Sequence, residues 1–137
     1  CSGAINQRRS KRCGGINDAD STVGCSNLSD DTLTMHAARW DGTAGTVLAD
    51  LSPSLYSSSC ANAINNADVI VGYSAGVAAR WIGDTVVDLN QLLTQAVRSQ
   101  GWQLDEATGI NDAGIIVGRG HNTVTGESVF YKLTPKQ

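Results

Sequence analysis

Gly72-Tyr73-Ser74-Ala75-Gly76 spells G-x-S-x-G, the pattern that holds a serine nucleophile on a sharp strand-to-helix turn. The apolar run Val69-Ile70-Val71 precedes it, as such a turn requires. A helix does not follow, because Val77-Ala78-Ala79-Arg80-Trp81 reads as another strand. A serine nucleophile also needs a base, and the chain has two histidines, His36 and His121. Imidazole titrates near neutral pH and suits general-base work. A second constellation supplies oxygen donors: Asp18, Asp20, Asn65, Asp68 and Asp112, beside Asn17, Asn66 and Asn111. Such hard donors suit Ca²⁺, although their spacing is not that of an EF-hand loop. The same Asn and Asp residues also make turns, by bonding to nearby backbone.

These residues sit in a repeat. Gly109-Ile110-Asn111-Asp112-Ala113-Gly114 followed by Ile115-Ile116-Val117-Gly118 has two further copies. They are Gly15 to Asp20 with Thr22-Val23-Gly24, and Ala63 to Asp68 with Ile70-Val71-Gly72. The Ile-Asn pairs begin at 16, 64 and 110, so the period is about 46–48 residues. Ala37-Ala38-Arg39-Trp40 recurs as Ala78-Ala79-Arg80-Trp81, and Asp50-Leu51 reads against Asp88-Leu89. Each unit reads as four short strands, with an Asn-Asp turn between the first two. Asp20 and Asp68 stand where the third copy has Gly114, which predicts turns that differ in detail. Ser26, Ser74 and Gly120 share one repeat position, so Ser74 reads first as part of the repeat. Arg39 and Arg80 share another, beside Trp40 and Trp81, as a stacked core or a ligand platform. Asn90 reads as the cap of a short amphipathic helix over residues 91–99.

The chain of 137 residues has the size of one domain. A net charge of −3 argues against nucleic-acid binding, and no apolar run approaches the roughly 18 residues of a membrane helix. Arg8, Arg9, Lys11 and Arg12 read as a solvated N-terminal arm. Residues 1–13 are this arm or a partial repeat, and 14–137 form a single repeat domain with units 14–62, 63–108 and 109–137. Cysteines at 1, 13, 25 and 60 permit two disulfides in three pairings, or reduced buried thiols. Cys1-Ser2-Gly3 is similar to the start of a mature lipoprotein, which would be anchored through Cys1.

Taken in order, Ala63 to Ser74, Ala78 to Trp81, Val87 to Asn90, Gly101 to Leu104, Ala107 to Gly114 and Leu133 to Pro135 resemble the HAF family of bacterial extracellular repeats. The resemblance implies an extracellular or periplasmic protein of β-propeller-like folding, and it implies no particular chemistry. The expected fold is therefore all-β, β-propeller-like, with three four-stranded units. Three blades do not close a ring, which takes about 4–8, so the units are completed to six by a homodimer, continue in a longer array, or form an open stack capped by the terminal segments. The expected role is binding of a small-molecule or cell-surface ligand. The alternative is a Ca²⁺-dependent hydrolase of esters or lactones, with the turn Asp and Asn as ligands and His36 or His121 as base. A serine esterase using Ser74 stands third.

Overall fold

The computed structural model describes residues 11–27, 34–42, 44–51 and 57–135, with backbone alone for 11–13. The expectations placed on residues 1–10, on Cys1 and on the Cys13 thiol lie outside the described residues.

The protein is all-β. The first sheet has the order β1 (Lys11–Ile16), β2 (Ser21–Asn27), β3 (Met35–Asp41), β4 (Ala44–Val47). The second repeats it with β5 (Ser59–Ile64), β6 (Ile70–Ser74), β7 (Val77–Ile82) and β8 (Thr85–Asp88). The third has β9 (Trp102–Ile110), β10 (Ile116–Asn122) and β11 (Ser128–Leu133). All neighbours are antiparallel. The third unit thus has three strands, not the expected four, among the described residues. The described sheets form an open stack and do not close into a barrel or propeller.

The first strand of each unit bulges by one residue opposite the glycine of the second. The bulges fall between Cys13 and Gly15, between Ala61 and Ala63, and opposite Val117–Gly118. At Gly72 a Cβ would run into the Cys60 carbonyl, so strand and bulge approach closely only with glycine there. The bulged Asn62 donates its amide to Ala107 O at 2.8 Å and Glu106 Oε1 at 2.9 Å, stitching sheet two to sheet three.

Side chains alternate across each strand, so each sheet shows two faces. Val23, Ala37 and Leu48 of the first unit pack against Ala61, Ile64, Ile70, Ala79 and Trp81 of the second. Val71, Ala78 and Leu89 of the second pack against Leu104, Ala107 and Ile116 of the third. The core is therefore two interfaces between successive sheets, which explains why small alanines recur on the third strand. A disulfide, Cys25–Cys60, joins β2 to β5 across the first interface.

Three expectations are corrected. The segment after β8 is a 3₁₀ turn, Leu89–Leu92, followed by one helical turn, α1 (Gln95–Ser99), with caps at Asp88 and Thr94 rather than Asn90. Leu93 and Thr94 stay extended between them, and Leu89 carries the burial. The match of Asp50-Leu51 with Asp88-Leu89 also fails. Ala38 pairs with Val47 and Ala79 with Asp88, so the counterpart of Leu89 is Leu48. Finally, the turns do not differ. Asp20, Asp68 and Gly114 all have positive φ, at 60°, 60° and 79°. Aspartate tolerates this left-handed region better than most residues, so it replaces glycine without changing the turn.

Candidate functional site

The chain runs up and down through three sheets, so its connections fall on two edges. One edge holds the Asn-Asp turns. In each turn the leading Asn accepts from backbone with Oδ1, and in the first two it also donates with Nδ2 to the next unit. Asn65 Oδ1 takes Ala67 N at 3.0 Å and Val69 N at 2.9 Å, while its Nδ2 reaches Asn111 O at 3.1 Å. Asn17 does the same toward Asn65 O at 3.1 Å and also reaches Asp68 Oδ1 at 2.9 Å. A parallel ladder runs outside it. Asn66 donates to Asp18 Oδ2 and Asp112 Oδ2, and accepts from Asp18 N. Bonds from the Asn66 backbone and side chain hold the Asp112 carboxyl below its usual range.

The five expected metal ligands all lie on this edge, and most of their oxygen atoms are engaged in the ladders. Asn65 Oδ1 faces two backbone amides, Asp68 Oδ1 faces Asn17 and Arg39, and Asp18 and Asp112 face Asn66. Asp20 shapes the first turn through its positive φ. Among the described residues, no three His, Cys, Asp or Glu side chains cluster as a metal site would need.

The other edge holds the remaining candidates. Ser74 ends β6, and Ala75 and Gly76, both with positive φ, turn the chain directly into β7. The turn is a two-residue hairpin, not a nucleophile elbow, as the strand reading of Val77 to Trp81 requires. Ser74 is fully buried, and its Oγ accepts from Leu51 N at 3.0 Å. His36 is buried, with Nδ1 2.8 Å from Asp50 Oδ2. His121 is partly exposed, with Nδ1 2.7 Å from Asp105 Oδ2.

The two histidines share an edge but not a face. His36 alternates with Ala37, which faces sheet two, so it lies on the outer side of sheet one. His121 alternates from Ile116, which also faces sheet two, so it lies on the outer side of sheet three. With sheets about 10 Å apart, roughly 20 Å separates them. The turn acids are as far from either, because a seven-residue strand spans about 20 Å. The structure thus gathers the metal candidates together and the base candidates on the opposite edge, without joining the sets.

One cation stands out that the sequence reading left as core or platform. Arg39 has a full set of partners: Asp41, Ser21 at 2.9 Å and Asp68 of the next unit at 3.3 Å. The bond from Asp41 raises its pKa above the ordinary value, and Ser21 followed by Arg39 lowers that of Asp41. Arg80 occupies the same repeat position, since Val23 pairs with Arg39 as Val71 pairs with Arg80. Among the described residues it has no partner, and its Nε is buried without one. The reason is legible in the repeat: Asp41, Ser21 and Asp68 are replaced by Ile82, Val69 and Gly114. Arg80 borders a cleft of about 380 Å³, lined also by Leu92, Gly114, Ile116, Leu133 and Pro135. A second, more open cleft of about 300 Å³ lies at the loop edge, beside Asp88, Arg98 and Trp102.

Comparison of the chain with protein-family models, with curated proteins and with solved structures finds no match.

Proposed function

We propose that the chain is an exported, HAF-type repeat module that works by binding, and that its sheets extend head to tail into a propeller-like ring or array. The observation that carries this reading is the outer face of the third sheet. Val117 and Phe130 there occupy the repeat positions of Val71 and Ala78. Val71 and Ala78 are fully buried under the next sheet, whereas Val117 is 42% and Phe130 87% exposed. Two apolar side chains that keep the pattern of an internal interface but stand uncovered, beside Arg119, His121 and Lys132 on the same face, mark an association surface.

At the opposite end His36, Ala38 and Trp40 on the outer side of the first sheet are buried, and an apolar side chain left open is Ile16. Ile16 is 61% exposed, whereas Ile64 at the same position is 6% exposed. Trp81 Nε1 donates to Ala49 O of the preceding unit at 2.7 Å, whereas Trp40 Nε1, though buried, has no acceptor among the described residues. The two ends are unlike, so a contact between Val117 and Phe130 of one copy and the Ile16 end of the next would be heterologous, which generates rings when it closes and arrays when it does not. Export is supported by the resemblance and by the Cys25–Cys60 bridge, since disulfides persist in oxidising compartments.

Light scattering on the native chain and on Phe130→Asp tests the reading. The native chain is expected to associate and the variant to remain monomeric. A native chain that stays monomeric at high concentration contradicts it. The hydrolase alternative draws on the two His–Asp pairs. It would require the turn acids and a histidine to act together from opposite edges.

A further inference from the structure

The geometry points to a binding site for a small apolar monoanion, such as an aryl or branched-alkyl carboxylate, in the cleft between sheets two and three, with Arg80 as its counter-ion. Three observations converge there. The first is the unpaired guanidinium. A charged group with a buried, unbonded nitrogen is unfavourable in an otherwise paired fold, and an incoming carboxylate would satisfy it through charge-assisted bonds.

The second is the comparison within the chain. At the first interface the same arginine is paired with Asp41 of its own strand and, at 3.3 Å, with Asp68 from the turn of the following unit. At the second, that turn position is Gly114, which borders the cleft beside Arg80. The repeat's own carboxylate is therefore missing at the place where a ligand's carboxylate would sit.

The third is the origin of the space. Trp81 fills the first interface, packing against Leu48 with Leu51 beside it. Its counterpart in the third sheet is Leu133, since Ile70 pairs with Trp81 and Ile116 with Leu133. A smaller side chain, and a third sheet that ends at β11 among the described residues, leave about 380 Å³. That volume lies at the lower end of ordinary small-molecule sites. Leu92, Ile116, Leu133 and Pro135 make most of its lining apolar, so the ligand body is hydrocarbon rather than sugar or phosphate.

The cleft lies on the inner side of the third sheet and the association surface on its outer side, so either can fail without the other. Calorimetric titration with phenylacetate and with its neutral analogue phenylacetamide tests the site on the full chain. Phenylacetate is expected to bind at least about tenfold more tightly, the ordinary worth of a charged hydrogen bond. Arg80→Met, which keeps the bulk, should erase this preference. Gly114→Asp is the sharper variant, because it restores the turn carboxylate that reaches the arginine at the first interface. Asp20 and Asp68 already adopt that backbone conformation, and an added Cβ meets only Pro135 Cγ, at 3.3 Å. Gly114→Asp should fold, as read by thermal melting, and lose phenylacetate binding. Equal binding of acid and amide, no binding of either, or full phenylacetate binding by folded Gly114→Asp overturns the proposal.

Discussion

Replacing Asn65 by alanine isolates what the turn ladder contributes. The native side chain is buried and makes three hydrogen bonds, two accepted by Oδ1 from Ala67 N and Val69 N and one donated to Asn111 O. A net loss of about 0.5–1.5 kcal/mol per bond predicts a cost of about 2–4 kcal/mol. Asn111 is the internal control. It is exposed, its Oδ1 accepts from Ile115 N, and its amide has no partner among the described residues. Asn111→Ala should therefore cost about 1 kcal/mol. Urea unfolding of the two variants measures the difference directly, with the slope of the transition unchanged if only stability is altered. Equal costs would refute the reasoning, because they would mean that the inter-unit bond and the burial contribute nothing. A loss at Asn65 of less than the loss at Asn111 would refute it more strongly.

Other consequences are more local. Removing the Cys25–Cys60 bridge by a double alanine variant should cost about 3–4 kcal/mol in the same urea assay, given a closed loop of 35 residues. Burial, with smaller contributions from the Glu106 and Asp105 charges, raises the Tyr131 pKa well above its ordinary value. Its neutral form is thus favoured by folding, so stability is complete below about pH 10 and declines as pH rises beyond it. Absorbance titration should find Tyr131 un-ionised in the folded chain at pH values where it ionises in urea. Ser74→Ala should destabilise by about 1–2 kcal/mol, because Leu51 N loses its acceptor. Any ester or lactone hydrolysis by the chain should survive that change and survive EDTA; loss on either treatment, with the fold intact, would revive a serine or metal mechanism.

Much of this architecture was legible from the chain. An Asn that must bond its own turn and reach the next unit leaves a fixed spacing, and the Ile-Asn pairs marked the end of each first strand. Ser74 was legible as a repeat position, because Ser26 and Gly120 share it. Other features depended on register, which similar dipeptides do not reveal. Asp50-Leu51 resembles Asp88-Leu89, yet the hairpin pairs Val47, not Asp50, with the strand position of Asp88. The turn acids and the histidines are joined in the hydrolase reading of the sequence but fall on opposite strand ends, a separation visible only once strand direction is traced. Arg80 carried a signal that went unused. Its repeat-mate Arg39 has Asp41 two residues on and Asp68 in the next turn, and the corresponding Ile82 and Gly114 announce an unpaired charge.

Head-to-tail association is tested most directly by disulfide trapping between two variants that each add one cysteine to the native four, Ile16→Cys and Val117→Cys. Val23, the counterpart of Val117, shares the first interface with Ile64, the counterpart of Ile16. Under mild oxidation the mixture should give a covalent product linking one variant to the other, and neither variant alone should give that product. A product formed by Val117→Cys with itself, or no product in the mixture, would contradict the account.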